Sequence, residues 1–262
     1  MCDTEFLYGD ILPVGVCSYE SVKDGLLECR AKGRIPENAK SVIVYLFPYY
    51  LGEKYYENSN ISKYAVPGDY HITAKSYLEK ATEDLCRRYP HNSFAWFCDN
   101  SPVKEVKAAL ACGLGVLGRN SLLINEKYGS FCFIGEIITD KEFECENRDI
   151  KYCTGCGMCE KLCPGNALIN GTVEKEKCFS YITQKKGELS VRETDFIKNN
   201  GCIWGCDICQ NVCPMNKNIS VSPVKEFFET AKPSFCKGDS IENRAFSWRG
   251  EKVINRNSEI LL

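Results

Sequence analysis

Between Cys153 and Pro164 the chain reads CTGCGMCEKLCP, four cysteines in eleven residues with a proline behind the last. No other feature restricts the fold so tightly, because thiols at this spacing converge on each other rather than on an apolar core. The chain holds eighteen cysteines in 262 residues. A disulfide-stapled secreted domain is one way to use them, but such domains are short and carry a leader. The N-terminal MCDTEFLYGD has neither a basic n-region nor an apolar h-region. No apolar run approaches the roughly 18 residues of a membrane span. The net charge of −2 gives no global footprint for nucleic acid. These features predict a cytoplasmic chain with no membrane partner, read as a monomer, whose cysteines stay reduced and gather metal.

The pattern Cys153-x2-Cys156-x2-Cys159-x3-Cys163-Pro164 is that of bacterial two-cluster ferredoxins. Three close thiolates grip one cubane, and the fourth, thrown past the turn by proline, reaches the other. A second block, Cys206-x2-Cys209-x3-Cys213-Pro214, repeats the pattern without its first cysteine. By that exchange Cys153, Cys156, Cys159 and Cys213 hold one 4Fe-4S cluster. Cys163, Cys206 and Cys209 hold the second and need one more ligand. Spacing offers Cys202, one residue out of frame, and Cys178, beyond the hairpin in ALINGTV, and leaves both open. Zinc is the alternative metal, because CxxC pairs also build tetrahedral sites; two Cys-Pro blocks favour iron-sulfur.

The flanking sequence predicts an α+β fold: an α/β layer over residues 1–144, a ferredoxin-like domain with two 4Fe-4S clusters over 145–220, and a helical tail over 221–262. SVIVYLFPYY reads as a buried strand. In YHITAKSYLEKATEDLCRRYP, Ala74, Tyr77, Leu78, Ala81 and Leu85 form one helical stripe, closed by Pro90. A second helix is expected to begin at Ser101-Pro102 and stop at Gly113. GSFCFIGEIITD is strand-like. ALINGTV is a hairpin turning at Asn170-Gly171. SPVKEFFETA and AFSWRGEKVINRNSEILL read as helices in the tail. GLGVLGRNS has glycine spacing without a strand before it or a helix after it, so it is a loop and not a nucleotide fingerprint.

A bare electron carrier needs only the cysteine-rich region, which leaves the layer ahead of it to bind what the clusters reduce. FCDNSPVKE, CGLGVLGRNSLLIN, GSFCFIGEIITD, CTGCGMCEKLCPGNAL, EKCFSYIT and GCDICQNVCPMN, in this order, resemble the epoxyqueuosine reductases, over about residues 41 to 257. The resemblance implies a cobalamin-dependent iron-sulfur enzyme that reduces the epoxide of epoxyqueuosine in tRNA to give queuosine, so the first layer becomes a cobalamin-binding layer. It selects Cys178 as the missing ligand. It makes Asp99 the proton donor and a cobalamin contact, and places further contacts at Ser62, Leu123, Ile134 and Ser180. It also implies an external low-potential electron donor of flavodoxin or ferredoxin type. Electrons then pass through both clusters to cobalt and on to the substrate.

Asp99 has a second reading, as a carboxylate that stabilises the helix start at Ser101. That role lowers its pKa, whereas burial against a corrin face raises it. His71, in DYHITA, reads as structural or substrate-side and not as a cobalt ligand. Two departures stand out. Longer family members carry an extra segment where KGRIPENAKSVIVYLF runs straight through, and they continue into helical repeats that hold tRNA. Arg244, Arg249, Lys252 and Arg256 offer phosphate contacts or a solvated basic helix. The competing functions are a non-catalytic dicluster electron carrier and a corrinoid iron-sulfur reductase for another small molecule.

Overall fold

The computed structural model describes residues 5–145 and 148–262; the first four residues of the stretch read for a leader lie outside them. Four strands, β1 (Val14–Ser18), β2 (Ser41–Pro48), β3 (Phe94–Cys98) and β4 (Cys132–Thr139), form one sheet in the order β1-β2-β4-β3. Every pairing is antiparallel. All eight residues of β2 are buried. An unbroken apolar run therefore makes a strand here because both faces of the sheet are covered. Side chains alternate between those faces. Ile43, Tyr45, Phe47 and Ile137 meet the stripe of α1 (Tyr70–Arg88) formed by Ala74, Leu78, Ala81 and Leu85. Val42, Val44, Leu46 and Ile138 meet Ala108, Ala109 and Leu110 of α2 (Glu105–Ala111).

The second predicted helix begins later than expected. Asp99 and Asn100 both take positive φ, 49° and 44°, and Ser101 Oγ accepts from the Val103 amide at 3.1 Å inside a turn. Ser101 therefore caps the turn, and α2 starts at Glu105. Gly113, at φ 71°, stops it as predicted. The hairpin Leu168–Ile169 with Thr172–Val173 turns at Asn170-Gly171. A further helix, α3 (Val191–Asn200), opens on a capping box between Ser190 and Glu193.

The tail does not stand apart. Lys225–Glu229 is a single short helix, and α4 (Glu251–Leu261) follows. Val224, Phe227, Phe235, Phe246, Val253 and Ile254 belong to the same core as Phe47 and Leu78. Arg244 is buried, and its guanidinium donates to the carbonyls of Thr230, Ala65, Val66 and Pro67 at 2.5–2.8 Å. Arg256 donates to the carbonyls of Lys185 and Gly187. These two arginines clamp backbone, so the solvated basic helix does not describe them. Among the described residues no helix is long and apolar enough to cross a membrane.

Candidate functional site

The cysteines gather into two rings. Cys153, Cys156, Cys159 and Cys213 line one small cavity together with Gly118, Arg119 and Asn120. A parallel bridge holds this block against the glycine-rich loop: the Leu117 amide donates to the Lys151 carbonyl and the Cys153 amide to the Leu117 carbonyl. Cys163, Cys178, Cys206 and Cys209 line one end of a second cavity of about 400 Å³. Cys202 is not in that lining; its thiol donates to the carbonyls of Trp204 and Gly205. Among the described residues no three His, Cys, Asp or Glu side chains close on a single-ion position. The eight cysteines line two cavities in groups of four, the number of thiolates that a four-iron cube takes.

Two glycines make the second ring possible. A Cβ on Gly165 would fall 1.9 Å from the Lys177 carbonyl, so only glycine lets the loop behind Cys163 pass the loop that carries Cys178. A Cβ on Gly205 would fall 2.4 Å from that of Ser62. There the 60–63 segment pairs with residues 203–205, with the Ser62 amide donating to the Trp204 carbonyl at 2.8 Å. Ser62 Oγ donates to Asp207 Oδ1 at 2.5 Å, and the Lys63 amide to Oδ2 at 2.6 Å. This half-buried carboxylate fastens the Cys206–Cys209 turn to the first layer.

The second cavity continues from its cysteines to Ser62, Ser180, Tyr64, Tyr70 and Phe133. Tyr70 stacks on Phe133 with ring centroids 3.8 Å apart and 8° between planes, which makes a flat aromatic wall. Leu123 and Ile134 do not join this lining; Leu122 and Phe133, one residue earlier, do. Strand alternation explains the shift, since Leu123 and Ile134 pack into the core on the α2 side of the sheet.

Beyond Tyr64 and Tyr70 opens a third cavity, of about 590 Å³, lined by Asp69, His71, Asp99, Asn100, Gln184 and Trp248. His71 Nδ1 lies 2.7 Å from Asp69 Oδ1 and Nε2 lies 2.9 Å from Asp99 Oδ2; Tyr70 donates its hydroxyl to the same Oδ2. The bonds to Asp69 and Asp99 raise the His71 pKa to about 9, so both nitrogens carry protons at neutral pH. Neither is left to ligate a metal. Burial pushes the Asp99 carboxyl up, but the bonds from His71 and Tyr70 outweigh it and hold the group below its usual range. The rise anticipated from burial alone is thus reversed, and Asp99 rests as a carboxylate with its proton stored on His71. Asp99 also lies six residues before α2, too far to act as its cap. Tyr64, Asp69 and Tyr70 escaped the sequence reading, although the run Asp69-Tyr70-His71 at a helix start was a visible signal.

Two family models match the chain: "Epoxyqueuosine reductase QueG, DUF1730" over residues 32–100 and "4Fe-4S double cluster binding domain" over residues 152–216. The chain is 35% identical to the epoxyqueuosine reductase of Leadbetterella byssophila over 216 residues, 82% of this chain and 71% of the relative. It is 36% identical to that of Cyclobacterium marinum over 70% of this chain, and there spans only 61% of the relative. A crystal structure of an epoxyqueuosine reductase with an epoxyqueuosine-modified tRNA stem loop superposes with a TM-score of 0.78 at 24% identity, over 97% of this chain and 78% of that one.

Proposed function

The chain belongs to the epoxyqueuosine reductase family, and from that premise we propose that it reduces the epoxide of epoxyqueuosine in tRNA to an alkene, giving queuosine. The observation that carries this reading is the row of three compartments. The two cysteine rings share Asn120 as a common wall, and the second and third cavities share Tyr64 and Tyr70. A path for electrons thus leads from one end of the row to a proton store at the other.

In this reading Cys153, Cys156, Cys159 and Cys213 bind one 4Fe-4S cluster, and Cys163, Cys178, Cys206 and Cys209 the second. Cys156, the exposed member of the first ring, marks the side for an external low-potential donor of flavodoxin or ferredoxin type. The flat wall of Tyr70 and Phe133, next to the second ring, fits the face of a corrin, with Tyr64, Ser62 and Ser180 around it. Held there, cobalamin would supply the strongly reducing metal that the reduction of a substrate carbon requires. Residues 1–144 then hold cofactor and substrate, residues 145–220 carry electrons, and residues 221–262 close the core and supply one rim of the substrate cavity.

Opening an epoxide to an alkene takes two electrons and two protons. The proton stored on His71 Nε2 moves to the Asp99 carboxylate and from there to the departing oxygen, and solvent supplies the second proton that makes the oxygen leave as water. Asp69 holds the imidazole in register through Nδ1. Trp248, 60% exposed at the cavity rim with the Arg249 guanidinium 4.1 Å from its ring centre, offers a stacking face to a base.

The test is anaerobic reconstitution with iron, sulfide and cobalamin, then an assay on an epoxyqueuosine stem loop with reduced flavodoxin. About eight irons per chain, a corrinoid spectrum that survives gel filtration, and queuosine as product are the expected results. Iron without retained corrinoid would favour the electron carrier. Retained corrinoid without turnover would favour another small-molecule substrate.

A further inference from the structure

Asp99 does not hold its own position. Both Asp99 and Asn100 sit at positive φ, a region that Asp and Asn enter more readily than other side-chain-bearing residues but that stays uncommon even for them, so contacts from outside the turn help to set it. The Asp99 carboxylate is held by His71 and Tyr70 and the Asn100 carbonyl by the Cys29 thiol, while the Asp99 backbone is held from α2, where its amide donates to Glu105 Oε1 at 2.9 Å, on the first residue of that helix. Glu105 forms no ion pair among the described residues, and it is absent from the lining of the Asp99 cavity. It therefore acts on the turn and not on what the cavity holds. The groups that face it are Asp99 from the turn, His71 from α1, Cys98 from the end of β3 and Glu136 from β4. Glu136 is wholly buried.

We infer that Glu105 is the positioning residue that seats Asp99 in the cavity, through the hydrogen bond from the Asp99 amide. The inference rests on the proposed role of Asp99. It makes seating depend on pH. Burial and the neighbouring Asp99 carboxylate push the Glu105 carboxyl up to about 8. With the turn swung away, Glu105 meets water and returns to the ordinary glutamate range. The seated form therefore binds a proton that the released form has lost. Its advantage is complete below the ordinary pKa and declines about tenfold per pH unit as pH climbs towards 8. His71 adds a decline of the same sign, but only above its own ordinary range near 6.5. Between pH 5 and 6.5 the slope belongs to Glu105 together with the buried Glu136 behind it, and Glu105→Gln isolates the Glu105 share.

Hydrogen exchange of the peptide spanning residues 97–104, measured on the reconstituted protein at pH 5 and 6.5, tests this without substrate. Protection is referenced to the interior amides of α1 to remove the intrinsic effect of pH. Wild-type protection should fall between those two values by about tenfold per unit. Glu105→Gln keeps an uncharged acceptor and should remove the Glu105 share of that fall; Glu105→Ala should lose protection at both values. Turnover of the epoxyqueuosine stem loop should follow the same slope in wild type and lose the Glu105 share of it in Glu105→Gln. A flat wild-type protection profile would overturn the inference, and that measurement stands even if neither variant folds. Absence of turnover alongside the predicted exchange slope would instead count against the proposed substrate.

Discussion

His71 donates from both ring nitrogens, to Asp69 and to Asp99, and so carries the charge that keeps Asp99 ionised. Two expectations follow at the scale of single residues. Asp99→Asn keeps the shape of the side chain and removes its capacity to pass a proton. It should leave iron content and corrinoid absorption intact while lowering single-turnover rate by about 10²–10⁴. Normal turnover in the cobalamin-loaded variant would return Asp99 to a structural role. The second expectation concerns pH. The folded pKa of His71, about 9, lies above the ordinary histidine value of 6.5, so its contribution to stability is whole below 6.5 and is lost as pH rises through 9. Melting temperature should fall across that window, and His71→Gln should remove the part of the fall that belongs to this residue. The proton store was not legible in the sequence. His71 and Asp99 stand 28 residues apart, and only the packing of α1 beside the end of β3 brings them together.

Among the elements, the loops that carry Cys178 and Cys202 separate two ligand assignments. Cys178→Ala should cost about half the iron, whereas Cys202→Ala should leave it unchanged, by iron analysis after reconstitution. Loss of iron in the Cys202 variant alone would reverse the assignment. Gly165 explains why spacing could not decide between them, because the contact that brings Cys163 to Cys178 depends on an absent side chain. Longer elements were legible. β2 is an eight-residue strand with an unbroken apolar middle, β4 is an eight-residue strand interrupted only by Gly135 and Glu136 before its last residue, and α1 has a clean helical stripe. β1 and β3, five residues each and mostly half-buried, give too short a pattern to separate from loop. The start of α2 misled for a different reason. Ser101-Pro102 is a sound local signal, but it was spent on the turn that presents Asp99. The Ser190-x-x-Glu193 box before α3 was readable and was overlooked.

For the molecule as a whole, Arg244 is the fastening. Its guanidinium holds the carbonyls of residues 65–67, just ahead of Asp69, and burial lowers its pKa to about 10, still charged at neutral pH. Arg244→Ala leaves buried carbonyls without donors and should destabilise the protein by roughly 2–5 kcal/mol, read as a lower melting temperature. A change within about 0.5 kcal/mol would mean that the clamp is dispensable. The clamp also orders events in time. It joins positions up to 179 residues apart in the chain, and Val253 and Ile254 lie in one core with Leu12. Until the segment from Val224 to Ile254 has been made, the first layer has an open apolar face and the carbonyls of residues 65–67 lack their donor. The nascent chain is therefore most exposed to misassembly just before Arg244 emerges.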